Sequence, residues 1–121
     1  MAIVDVNHFK QLLSSNPGVF IVKFGATWCQ PCKQIETQVL HGFSQMPANV
    51  QCVTIDIDEC FEIYAFLKNK KMVNGVPVIL AYYKNRSDKA FYIPDEVVMG
   101  TDIAAINVFF QKCHLQSQIS F

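Results

Sequence analysis

Residues 19–24 (VFIVKF) and 78–83 (VILAYY) are two short, nearly continuous apolar runs bounded by turn residues. A strand with one wet face alternates apolar and polar side chains, so a run that does not alternate needs cover on both faces. The rest of the chain can supply that cover. Asp5 or Asn7 can cap a helix carrying Phe9, Leu12 and Leu13 on one face, closed by Asn16-Pro17-Gly18. Ile35, Val39, Leu40 and Phe43 recur at helical spacing in a helix starting at about Pro31. Residues 59–70 form a third helix with Phe61, Ile63, Tyr64, Phe66 and Leu67 available to a core, and Ile103, Ile106, Phe109, Phe110 and Cys113 mark a last one. Residues 50–57 read as another strand, residues 2–4 as a short edge strand, and residues 91–93 and 97–99 as strand-like pieces beyond a polar turn at 85–88. The order is β-α-β-α-β-α-β-β-α. Alternation followed by a late hairpin predicts an α/β domain with a mixed sheet and helices on both faces.

At 121 residues the chain has the size of one domain, and with 51% hydrophobic residues it can close a core without staples. Ten Lys plus Arg balance ten Asp plus Glu. Zero formal charge without basic runs argues against sequence-independent nucleic-acid binding and against a polybasic membrane surface. No stretch approaches the roughly 18 apolar residues of a membrane span, and no basic region leads into an apolar signal core. The five cysteines (Cys29, Cys32, Cys52, Cys60 and Cys113) cannot all pair within one chain. A reducing, cytoplasmic address is therefore expected, where a close cysteine pair serves catalysis or metal binding more often than structure.

Cys29 and Cys32 lie in Ala26-Thr27-Trp28-Cys29-Gln30-Pro31-Cys32-Lys33, where an apolar strand hands over to a helix. A cysteine at a helix N-terminus meets free backbone N–H groups and the positive dipole end, which favour its thiolate. The spacing puts both sulfurs within disulfide reach, and Pro31 suits a first helical turn, where its missing N–H costs nothing. Such a pair can attack a disulfide through Cys29 and resolve the mixed disulfide through Cys32. A structural zinc site would need a second closely spaced ligand pair, and Cys52, Cys60, Cys113, His8, His41 and His114 offer neither CxxC nor HxxxH. Redox chemistry is the better reading.

WCQPCK after a buried strand, with Gly75-Val76-Pro77 opening a later strand, resembles the thioredoxin family, and the order of elements extends the resemblance over nearly the whole chain. Asp56-Ile57-Asp58-Glu59-Cys60 is particularly similar to eukaryotic members. The resemblance implies the thioredoxin fold, a central mixed sheet of four to five strands with helices on both faces. It also implies a protein-disulfide reductase that uses neither cofactor nor metal. Cys29 would be the exposed nucleophile and Cys32 the buried resolving thiol. Trp28 would flank a client groove, Pro77 would be cis, and the Val76 backbone would pair with an extended client segment. Partners would be disulfide-containing client proteins and a thioredoxin reductase or similar electron donor, and the chain would act as a monomer. A redox-responsive binding module and a more oxidising oxidase or isomerase are the alternative readings.

The chain departs from the family pattern at several places. Lys23 stands where the family usually has an Asp that acts on the resolving cysteine through water. A Lys in an apolar strand must reach the sheet edge, pair or lose its proton. Pairing with Asp56 is one expectation. The other is a cation beneath the motif that favours the Cys32 thiolate and a more oxidising couple. Gln30 replaces the usual Gly between the cysteines and is, with Lys23 and Asp56, a candidate modulator of thiolate stability. Thr37 replaces a kinking proline, which predicts a straighter helix. Residues 86–97 exceed the family's tight hairpin, with Phe91, Tyr92 and Ile93 as a candidate docking surface.

Overall fold

The computed structural model describes residues 3, 5–84, 86 and 89–119. Nine elements follow in order: α1 (Val6–Ser14), β1 (Val19–Gly25), α2 (Gln30–Gln34), α3 (Glu36–Ser44), β2 (Val50–Asp56), α4 (Phe61–Asn69), β3 (Val78–Tyr83), β4 (Glu96–Met99) and α5 (Ile103–Ile119). Asp5 caps α1, its carboxylate accepting the His8 N–H at 2.8 Å. The strand expected at residues 2–4 falls largely outside the described residues, although Ile3 is itself fully buried in the core.

Among the described residues the sheet has four strands in the order β2-β1-β3-β4. β1 runs parallel to β2 and antiparallel to β3, and β4 closes the sheet antiparallel to β3. All seven residues of β1 are buried, as its nearly continuous apolar run predicts. Side chains alternate between two cores. Phe20, Val22 and Phe24 face α1 and α4 together with Phe9, Ile63, Leu67, Leu80 and Tyr82. Val19 and Ile21 face α3 and α5 with Val39, Ile79, Ile106 and Phe110.

Three expectations about the helices and the hairpin are corrected. The helix after the cysteines is not straight. It breaks at Ile35, whose backbone (φ −104°, ψ 0°) leaves helical geometry between α2 and α3 although Thr37 is no proline. The Ile35 side chain at the break is 1% exposed and packs in the core shared with α5. Phe61 does not face the core but stands in solvent at the start of α4.

Residues 91–93 form a turn, and only Glu96–Met99 pairs as β4. Phe91 stacks on Phe66 (5.9 Å) and Tyr92 meets it edge-on (5.7 Å), so these aromatics cover α4. Phe91, Tyr92 and Ile93 are half-buried, with the two aromatic rings packed on α4. A nearly buried Asp95 holds the segment: it accepts the Tyr83 N–H at 2.7 Å and pairs with Arg86 at 3.3 Å and Lys89 at 2.6 Å. The Arg86 guanidinium also donates to the carbonyls of Phe91 and Ile93.

α3 and α5 pack through Gly42. A Cβ there would sit 2.4 Å from the Phe110 ring, which is already held edge-on by Phe43 and Phe109. Gly42→Ala should therefore destabilise the fold by about 1–3 kcal/mol, read as a lower urea midpoint with an unchanged slope. An unchanged midpoint would mean that the ring has room to move.

Candidate functional site

The motif sits at the C-terminal end of β1, on the loop into α2. The Gly25 carbonyl accepts the Ile57 N–H (3.0 Å), and the Ala26 carbonyl accepts the Cys29 N–H (3.1 Å), so the turn is fixed by backbone bonds at both ends. Cys29 is the N-cap of α2, and Pro31 lies in the first turn. The Cys32 N–H points at Cys29 Sγ, 3.2 Å away. That donor meets the atom on which negative charge develops when the pair is reduced. Cys29 and Cys32 are joined in a disulfide, with Cα atoms 5.3 Å apart.

Facing this pair is the turn into β3. The Val76-Pro77 peptide bond is cis, and the Val76 carbonyl oxygen lies 3.8 Å from Cys29 Sγ. Gly75 reaches φ +108°, a region that favours glycine, and its N–H donates to the Tyr64 hydroxyl at 2.8 Å. α4 thereby holds the turn against the disulfide. Trp28 is 65% exposed, and its indole N–H donates to Asp58 at 2.8 Å. The Asp58 N–H in turn donates to the Asp56 carboxylate at 2.8 Å. Tyr64 and Asp58 were not singled out as site residues from the sequence. Asp58 is two positions after Asp56 in the family-like string, a signal that could have marked it. Nothing local in the sequence marks Tyr64.

Two expectations about the motif change. Cys29 is as shielded as Cys32 in this oxidised form (3% and 5% exposed), because Cys32 and Val76 cover its sulfur from two sides. Lys23 neither reaches a sheet edge nor pairs with Asp56. β1 is an interior strand, and Lys23 lies opposite Thr54 and Ile79, with Asp56 two residues further along β2. Its ammonium has no carboxylate within 4.0 Å among the described residues. Burial pushes the Lys23 pKa below the usual lysine value, and Glu36, from α3, opposes that shift. Gln30 is exposed at the start of α2. Among the described residues no three His, Cys, Asp or Glu side chains converge as metal ligands, and no helix is long and apolar enough to cross a membrane.

A disulfide-bonded CxxC that starts a helix, faced by a cis X-Pro turn on a mixed four-stranded sheet, defines a thioredoxin-fold dithiol–disulfide site. The comparisons agree with that class. A family model described as Thioredoxin matches residues 1–98, and the chain belongs to the thioredoxin family. It is 36% identical to the thioredoxin of Equus caballus over 61 residues, covering 50% of this chain and 57% of that protein. The match thus spans less than two thirds of that relative's length. Among solved structures, Malassezia sympodialis thioredoxin superposes with a TM-score of 0.69 at 24% identity, over 95% of this chain and 90% of the other. Plasmodium falciparum thioredoxin gives 0.66 at 26%, over 89% and 81%.

The remaining described cysteines sit apart from the disulfide. Cys113 is buried in α5, Cys52 is half-buried in β2, and Cys60 caps α4. Burial pushes the Cys52 thiol up to about 11. Burial, with Glu96 and Cys52 nearby, pushes Cys113 up to about 12. A raised pKa keeps both as neutral thiols until the pH nears those values. Iodoacetamide at about pH 8, where a free cysteine is already part thiolate, should leave Cys52 and Cys113 of the native oxidised protein unlabelled. Rapid labelling of Cys52 under those conditions would contradict its burial.

Proposed function

We propose that the chain is a thiol–disulfide oxidoreductase that reduces disulfides in client proteins. The observation that carries this reading is the Cys32 N–H aimed at Cys29 Sγ within a formed Cys29–Cys32 disulfide. A sulfur stabilised as thiolate is both a better populated nucleophile and a better leaving group. Cys29 attacks the client disulfide, and Cys32 resolves the mixed disulfide that results. Trp28, Val76 and Pro77 form the client-facing rim. The carbonyl of Val76 beside Cys29 supports strand-like docking of an extended client segment. Electrons come from a reductase of the thioredoxin reductase type, and the protein acts as a monomer in the reducing cytoplasm.

Insulin reduction coupled to such a reductase tests the activity. Turnover should vanish in Cys29→Ser, and Cys32→Ser should accumulate mixed disulfides through Cys29. Client binding without turnover would favour a redox-responsive binding module instead. Oxidation of reduced clients by the disulfide form, outpacing reduction, would favour an oxidase.

A further inference from the structure

The C-terminal half of α1 and the end of β3 border a cavity of about 360 Å³, at the end of the sheet away from the disulfide. That volume lies within the roughly 300–1,000 Å³ of small-molecule sites. Val19 pairs with Tyr83 at this end, and Gly25 at the motif is about 20 Å further along β1. Two of the walls are tied to each other. Asn16 Nδ2 donates to the Tyr82 carbonyl at 2.8 Å, and Asn16 Oδ1 accepts the Gly18 N–H at 3.0 Å. The Lys84 N–H donates to the Gly18 carbonyl at 2.9 Å.

Leu13 and Phe91, both half-buried, give the cavity an apolar side. Every charged side chain lining it among the described residues is a cation: Lys10, Lys84, Arg86 and Lys89. Asp95 lies outside the lining and takes Arg86 and Lys89 in ion pairs. Arg86 is further committed to the carbonyls of the following turn. Lys10 and Lys84 form no ion pair among the described residues. Four positive charges against one carboxylate make this place electropositive, in a chain whose formal charge is zero. Lys10 Nζ lies 5.3 Å from the centre of the Phe91 ring, so amine and aromatic face occur side by side. A neutral ligand would gain nothing from the amines, and a bare inorganic anion nothing from the apolar side.

We propose that this cavity binds a small aromatic anion, a planar ring carrying a phosphate, sulfonate or carboxylate group. The ring lies against Leu13 and Phe91, and the acidic group is held by Lys10 and Lys84. Arg86 and Lys89 add positive charge while remaining with Asp95. The site stands apart from thiol chemistry: its ligand stabilises the folded chain by binding it and takes no part in the sulfur exchange.

Phenyl phosphate is the probe, with phenol and inorganic phosphate as its two halves, and backbone amide resonances of the oxidised protein are followed by NMR. Phenyl phosphate should shift the amides of Leu13, Asn16 and Lys84 saturably, with a Kd of about 1 mM, and leave those of Trp28 and Cys32 in place. Each half alone should bind about tenfold more weakly. Lys10→Gln/Lys84→Gln should weaken phenyl phosphate about tenfold, the worth of two partly exposed ion pairs. This variant spares Arg86 and Lys89, so the turn held by Asp95 keeps its ion pairs, and its own amide spectrum reports that it is folded. Lys68→Gln/Lys71→Gln removes the same charge outside the cavity and should leave the affinity unchanged. The proposal is overturned by the absence of a saturable shift at about ten times the expected Kd. Equal binding of phenol or of inorganic phosphate, or equal weakening in the two double variants, would overturn it as well.

Discussion

Seven consecutive buried residues, Val19–Gly25, can persist in a folded chain only if every backbone polar group among them is paired and both side-chain faces are covered. β1 meets the first condition by pairing with β2 on one side and β3 on the other. It meets the second by dividing its side chains between two helical layers. The strand is therefore the element against which the rest is registered. Its C-terminal end delivers the backbone to Gly25 and then to Cys29, so the position of the disulfide is set by packing several residues upstream. The strand β3, paired to the same β1, brings Val78 opposite Phe24 and so carries the cis Val76-Pro77 turn to the same end of the sheet. Chemistry and core share one scaffold strand.

The two ends of that sheet are built by different physics. At the disulfide end, polar backbone groups and Tyr64 fix the turns, and little is left to long ionic side chains. At the other end, where Val19 pairs with Tyr83, Asp95 gathers the Tyr83 N–H, Arg86 and Lys89, and Arg86 spreads over the carbonyls of the following turn. Charged hydrogen bonds around a buried carboxylate are costly to break one partner at a time. That end is a structural lock on a long connection, and its aromatic residues are turned onto α4.

What the sequence made legible follows from the range of the signals. β1 and β3 could be read because burial on both faces writes a nearly continuous apolar run into adjacent residues. Cys29, Pro31 and Cys32 could be read because a helix start and a redox pair are both short-range patterns. Ile35 hid its break because no proline or glycine marks it. Residues 91–93 looked like a strand because aromatic and β-branched residues suit both strands and packed turns, and only contact with Phe66 decides between them. The hydrogen bonds from Gly75 to Tyr64 and from Trp28 to Asp58 join residues far apart in the chain, and no local pattern encodes them.

Lys23 is where these ranges of information cross. Its neighbours in sequence are apolar and give it a place inside β1, yet a lysine there has no local reason to exist. Register decides its surroundings: Thr54 and Ile79 beside it, and Asp56 too far along β2 for an ion pair. The acid it senses, Glu36, comes from a helix placed by the bend at Ile35. A strand whose other side chains are apolar would be more stable with an apolar residue at this position, since burying an amine without a close counter-charge is unfavourable. The amine is tolerated at the end of the row where a polar cavity and the Cys32 sulfur begin, two residues beyond the last apolar side chain of that face. One position nearer the middle of the strand, in place of Val22, would turn it into the opposite core among Phe20 and Phe24. Its location thus places an ionisable side chain between the buried layer and the cavity that Cys32 also lines.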